Sequence, residues 1–353
     1  MKLSKCETCG QLLHFENTVC LSCGSPLGFI PELMDLRALV AQDDGSFAPK
    51  SRPDERWLRC TNHAAAGCNW LVPPGSPEGF CPACRLNRTI PDLSVPGNQV
   101  KWAAIECAKR RLVYALLRLG LPLTSHKDDA ARGLAFDFLA DTEDKQVLTG
   151  HDDGLITINI AEADSPERER RRVMLGEPYR TMLGHMRHEV GHYYWDLLVR
   201  DGDHIAASRA MFGDESEDYG EALGRYYQTG APVDWQVNYV SAYATMHPWE
   251  DFAETWTHYL HMIDTLDTAA SFGFAVAPVV SDNPTFSATV GFDPYADGEI
   301  APIVAAWLPL TVAVNSLNRS MGQPDLYPFT LSPPAITKLG FIHDLVHDRL
   351  PPS

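Results

Sequence analysis

Apolar residues recur at spacings of three and four through residues 182–197, where Met182, Met186, Val190, Tyr193 and Leu197 fall on one stripe of a helix. A second helical period runs through residues 102–119 and stops at Gly120, just before Pro122. Residues 134–139 and 155–160 read instead as strands, and the second follows the turn residues HDDG, so a hairpin or small sheet is predicted there. Residues 155–160 are a candidate edge strand for an extended peptide, with an ordinary internal strand as the alternative. Residues 33–40 predict a small helix, followed by a linker or exposed loop as far as residue 54. Further helices are predicted after Pro166, over 219–227, over 315–319 and after Pro333 and Pro334. The apolar run 300–314 is interrupted by Pro302 and Pro309 and reads as too short to span a bilayer.

With 353 residues, 45% hydrophobic and 10% aromatic, the chain exceeds one average domain and has enough apolar side chains for a substantial core. Its net charge of -17 argues against nucleic acid or an anionic membrane as partner, because binding to polyphosphate depends on Lys and Arg. The acidity is concentrated in residues 93–353, which hold 20 basic and 36 acidic side chains. A neutral or basic substrate is therefore favoured over an anionic one. The start, MKLSKCETCG, lacks the apolar core of a targeting segment, and a cytoplasmic location is expected.

The cysteines change the picture. Cys6, Cys9, Cys20 and Cys23 form two C-x-x-C pairs ten residues apart, each followed by a glycine that permits a metal knuckle. Four thiolates so spaced predict a structural zinc ribbon, with two disulfides as the alternative. Cys60, Cys68, Cys81 and Cys84 predict a second four-cysteine zinc site, with His63 as a possible substitute ligand. Cys107 lies in a helical pattern and is expected to be a buried, inert thiol.

Within the 182–197 helix stand His188, Glu189 and His192, in the order H-E-x-x-H. Residues four apart share one helix face, so both imidazoles can grip a single zinc ion while Glu189 serves as general base towards water at that ion. A catalytic zinc requires a third protein ligand. No G-x-x-H follows the motif, whereas Glu250 and Glu254 lie four apart just after Pro248. Glu250 is expected to be the third ligand and Glu254 to hydrogen-bond the distal nitrogen of a ligand histidine. Asp251, His247, His258 and His261 compete in the same stretch, and His258 is weighed as a further group behind the ligands. Asp214, Glu215, Glu217 and Asp218 read as a solvated acidic turn, and His343 and His347 as surface or capping residues.

HEVGHYYW followed by HPWEDFAETWTHYLH, behind a ribbon ending in FCPACRLNRTIPDL, resembles the bacterial zinc-binding metallopeptidases that carry an N-terminal zinc ribbon. More distantly, H-E-x-x-H with E-x-x-x-E is similar to the gluzincin peptidases, many of which have Asp where Glu254 stands. The resemblance implies His188, His192 and Glu250 as ligands and Glu189 as base, and suggests Tyr243 as the side chain that faces the metal from outside the ligand set. The expected fold is α+β: a zinc ribbon over 1–28, a second zinc module with linker over 29–92, and a mainly helical gluzincin-like domain with a small sheet over 93–353. The expected function is hydrolysis of peptide or amide bonds in a peptide or protein substrate, with one catalytic and two structural zinc ions. The rival is a non-catalytic scaffold whose zinc modules recruit a protein partner and whose metallopeptidase domain is vestigial.

Overall fold

The computed structural model describes residues 2–142, 144, 146–164, 181–296 and 298–350. The helix expected after Pro166 lies outside them. The chain divides into two compact units, 1–171 and 172–353.

In the first unit, β1 (Ser4–Lys5) pairs with β2 (Leu12–Leu13) beside the first cysteines. Next, β3 (Leu27–Ile30), β4 (Asp35–Ala41) and β5 (Phe47–Pro49) form an antiparallel sheet. The helix expected over 33–40 is thus a strand. Met34 adopts φ 47°, a left-handed conformation no helix continues through, and beyond it Leu36 and Ala38 are buried while Asp35 and Arg37 are not, a period of two. The anticipated linker folds back as β5. A short pair, β6 (Leu58–Arg59) and β7 (Leu71–Val72), flanks the helical turn α1 (His63–Ala66) in the second cysteine module.

Both boundaries expected in this half are crossed by pairing. Strand β3 straddles residue 28, and β8 (Asn87–Thr89) pairs in parallel with β9 (Ala135–Leu139) across residue 92. A four-stranded sheet follows in the order β10-β11-β9-β8, with β10 (Gly150–Asp152) and β11 (Leu155–Asn159) as the hairpin foreseen at HDDG. Strand β11 has a neighbour on each side, so its backbone is already bonded and the edge-strand role falls away. Helix α2 (Asn98–Arg118) carries Tyr114, whose ring lies 5.3 Å from Phe15, itself 5.1 Å from Phe29. Trp70 stands 4.8 Å from Phe29, so one aromatic cluster joins both cysteine modules to the helix. Cys107 is half-buried in α2 rather than enclosed.

The second unit is helical. Thr181 caps α3 (Met182–Tyr194) by accepting from the Gly184 amide at 3.0 Å. The helix continues through a π-helical turn, Trp195–Arg200. That wider turn rotates the stripe: Met182, Met186, Val190 and Tyr193 are buried as expected, but Val199 takes the place of the half-buried Leu197. After α4 (Ile205–Phe212) and α5 (Tyr219–Thr229) comes α6 (Pro248–Ser271), which packs along α3 and also meets α7 (Ile300–Ser320) and α8 (Pro333–Val346).

Gly191 permits the close passage of α3 over α6, since a Cβ there would stand 3.1 Å from Ala253 Cα and 3.2 Å from Trp256 Cδ1. Buried Arg187 of α3 also bonds His261 and Asp264 of α6, and Tyr295 donates to the same aspartate.

Two expectations for the C-terminal part are corrected. Helix α7 runs unbroken for 21 residues through Pro309, because one interior proline removes a single backbone bond, and Pro302 sits in the first turn where no donor is needed. By length and composition it could cross a membrane, with 33% of its apolar window buried inside the fold. His343 is neither surface nor cap: it is fully buried, with Nδ1 2.9 Å from Tyr259 Oη and Nε2 donating to the Gly298 carbonyl at 2.9 Å.

Candidate metal centres

Three groups of metal-ligating side chains converge among the described residues: Cys6, Cys9, Cys20 and Cys23; Cys60, Cys68, Cys81 and Cys84; and His188, His192 and Glu250. In the first, Sγ atoms of Cys6 and Cys23 are 3.7 Å apart and those of Cys9 and Cys20 3.6 Å. In the second, Cys68 lies 3.7 Å from Cys81 and 3.8 Å from Cys84. Thiolates held at about 2.3 Å around a tetrahedral zinc stand about 3.8 Å from one another, whereas a disulfide requires about 2.05 Å. The separations fit zinc and leave no disulfide. His63 is not in the second group: its Nδ1 faces the Cys68 carbonyl at 2.7 Å.

The two thiol groups differ in setting. Cys9 and Cys23 are exposed, while all four thiols of the second group are buried. Buried Lys109 and Arg110 bring positive charge close to that second group, and Glu106, also buried, bonds Lys109 at 2.7 Å.

The third group lies between α3 and α6. Successive turns of α3 project His188 and His192 to one side, with Nε2 atoms 3.2 Å apart. Pro248 and the His247 cap start α6 so that Glu250 falls in its first turn: Nδ1 of His247 accepts from the Trp249 amide at 3.1 Å. Glu250 Oε2 is then 2.9 Å from His188 Nε2, and its Oε1 is 3.5 Å from His192 Nε2. One turn later Glu254 Oε1 meets His188 Nδ1 at 2.7 Å, and its Oε2 accepts from Ser241 Oγ at 2.6 Å. Burial raises the Glu250 acid, but the charges of His192 and His188 outweigh it and hold that carboxyl well below its usual range. Burial in turn disfavours charge on His188, and Glu250 and Glu254 reverse this, pushing its pKa well up.

A divalent cation fits this donor set. With Nδ1–H of His188 given to Glu254, a bound cation would displace the second ring proton, and the Nε2 lone pair would join those of His192 and Glu250. Ligands at about 2.0–2.1 Å around a tetrahedral zinc lie about 3.3 Å from each other, close to the 3.2 Å between the imidazoles and to the 2.9 and 3.5 Å at which the two Glu250 oxygens face His188 and His192. Glu250 Oε2 is also buried without an aligned hydrogen-bond donor, and a cation ligated there would satisfy its lone pair instead.

Glu189 bonds His185 Nε2 at 3.1 Å. Burial raises its acid, but that bond and the imidazoles of His185, His188 and His192 lower it on balance, so the carboxylate is charged at neutral pH. The Tyr243 ring is 6.0 Å from that of His188. Tyr219 Oη donates to Glu250 Oε1 at 2.9 Å.

Tyr219, Ser241 and His185 were not singled out from sequence. His185 stands four residues before Glu189 and was legible as a helical pair; Tyr219 and Ser241 reach the site through long-range folding and left no signal. The competitors have other duties. Asp251 is bound by Lys338 at 2.5 Å, His247 donates through Nε2 to the Glu217 carbonyl at 3.1 Å, and His261 meets Arg187. His258 Nδ1 lies 2.5 Å from Tyr327 Oη, and burial brings its pKa down to about 4. In the acidic turn, Asp214 accepts from Ser216, Glu215 pairs with Arg209 at 2.7 Å, and Asp218 caps α5.

Residues 98–345 match the family described as "Putative zinc-binding metallo-peptidase", and residues 3–95 match a zinc-ribbon domain. An uncharacterized protein of Mycobacterium bovis and its counterparts in two Mycobacterium tuberculosis strains are each 42% identical to the chain over 347 residues, 98% of this chain and 95% of theirs. No solved structure matches. Two tetrathiolate clusters ahead of a His-His-Glu cluster agree with both matches, and the chain belongs to this zinc-binding metallo-peptidase family, with a zinc ribbon at its N-terminal end.

Proposed function

We propose that the protein is a zinc-dependent peptidase of gluzincin-like arrangement that hydrolyses peptide or amide bonds, with His188, His192 and Glu250 holding the catalytic ion. The observation that carries this reading is the convergence of His188 and His192 of α3 with Glu250 of α6, one ligand atom from each lying within 4.8 Å of the others, beside the charged Glu189. Zinc bound there supplies Lewis acidity, polarising a carbonyl and acidifying water. Glu189 accepts the proton of the attacking water and delivers it to the leaving amine. His185 keeps that carboxylate oriented, and Glu254 fixes the tautomer of His188 so that Nε2 is free to ligate. Tyr243 offers a hydrogen bond to the oxygen that gains charge, while Tyr219 donates to Glu250 Oε1. Two further zinc ions complete the cysteine clusters, which keep the first unit folded. Thiolate centres of this kind persist where thiols stay reduced, in keeping with a cytoplasmic location.

The test is Glu189→Gln, assayed on a broad peptide library together with metal analysis. Three zinc ions per chain are expected in parent and variant, with turnover lost only in the variant. Equal turnover refutes Glu189 as base, and two ions per chain in the parent favours the scaffold alternative.

A further inference from the structure

The rings around the His-His-Glu cluster are set differently from those of the core. Tyr194, Phe252, Trp256 and Tyr259 are fully enclosed. The site's own aromatic residues form two chains that open outwards. Trp249 lies 3.8 Å from the His192 ring and 6.1 Å from Tyr219. On the side of the other imidazole, the Tyr243 ring lies 6.0 Å from His188 and 5.7 Å from Tyr226, and Tyr226 is 6.2 Å from Tyr227. Exposure increases outwards from each imidazole: Trp249 is half-buried and Tyr219 37% exposed, and Tyr243 and Tyr226 are half-buried while Tyr227 is 65% exposed. Aromatic rings therefore lead from solvent to both imidazoles, the outer ones, Tyr219, Tyr226 and Tyr227, carried by α5.

Charge narrows what this wall accepts. Glu217 and Asp218 stand at the start of α5, and its cation, Arg225, lies 3.5 Å from Glu217. An acidic side chain would meet like charge there. A lysine gains only a small cation–π contribution at positions this exposed, whereas a ring laid against rings loses a large apolar area to water.

We infer that this wall is a specificity subsite for a substrate residue with an aromatic side chain next to the cleaved bond, with Tyr226 and Tyr227 as its outer part. The inference rests on the proposed peptidase reading of the same cluster.

The experiment is calorimetric titration of the zinc-loaded full chain with four hydroxamates: acetohydroxamate, 3-phenylpropanohydroxamate, 6-aminohexanohydroxamate and succinate monohydroxamate. The phenyl compound is expected to bind tenfold or more tighter than acetohydroxamate. In Tyr227→Ala and Tyr226→Ala that ratio is expected to fall roughly three- to tenfold, the range measured for aromatic pairs. If all four compounds bind alike, or the ammonium or carboxylate compound leads, the subsite is overturned while the metal site stands. A ratio unchanged in both variants overturns it too. Failure of acetohydroxamate itself to bind, in the parent as in a His192→Ala blank, overturns the peptidase reading and the subsite with it.

Discussion

Replacing Glu254 should loosen zinc without touching a ligand. Its Oε1 accepts from His188 Nδ1 at 2.7 Å, and its Oε2 is held by Ser241 at 2.6 Å, so the carboxylate is fixed at both ends. Glu254→Ala leaves the imidazole N–H without this acceptor, which costs about 1–3 kcal/mol for a buried donor. Carboxylates in this position behind a ligand histidine typically contribute 10–100-fold to metal affinity, about 1.4–2.7 kcal/mol. The side chains of His188 and Glu254 are 12% and 18% exposed, so water can partly replace the lost acceptor, and we expect the lower half of that range, roughly ten- to thirtyfold. Glu254→Gln keeps a neutral acceptor; charge-assisted bonds are about twice as strong as neutral ones, so a loss of roughly three- to fivefold is expected. The assay is competition for the weakest-held zinc against a chelator of known affinity, with both cysteine clusters filled. Affinity within twofold of the parent for Glu254→Ala would refute the assignment of this carboxylate.

Three other outcomes follow from the geometry. Under a chelator with a colorimetric zinc readout, the cluster with exposed Cys9 and Cys23 should release its ion before the fully buried cluster of Cys60, Cys68, Cys81 and Cys84; simultaneous release would contradict the contrast in burial. Gly191→Val forces side-chain carbon into a gap where a Cβ alone meets Ala253 Cα at 3.1 Å, and should destabilise the chain by about 1–3 kcal/mol and weaken zinc by separating α3 from α6. A urea midpoint equal to the parent's would show that the helices are not in that contact. Burial lowers His258 from an ordinary 6.5 to about 4, against the opposing pull of Glu254, so the folded chain resists the proton that the unfolded chain accepts. Its contribution is therefore fully present above pH 6.5 and is lost as pH falls towards 4, with about 2.5 kcal/mol gone by about pH 4.5. Urea unfolding of parent and His258→Gln at pH 7 and about pH 4.5 checks this, since the variant should lose less stability on acidification.

Sequence alone determined what depends on local periodicity. The C-x-x-C spacing marked the first tetrathiolate cluster, and the pairing of His188 with His192 and of Glu250 with Glu254 needed only the 3.6-residue turn, which fixes a shared face wherever the helix lies. Tertiary structure decided the rest. Whether β11 sat at an edge depended on β9 and β10 pairing on either side, and whether His343 met water depended on Tyr259 and Gly298 from other parts of the chain. The π-helical turn that exchanged Leu197 for Val199 lies beyond any regular period. Tyr219 and Ser241 reach Glu250 and Glu254 through separate segments, Tyr219 from 31 residues away, and such contacts come from packing one helix against another. Spacing along the chain carries no trace of that packing.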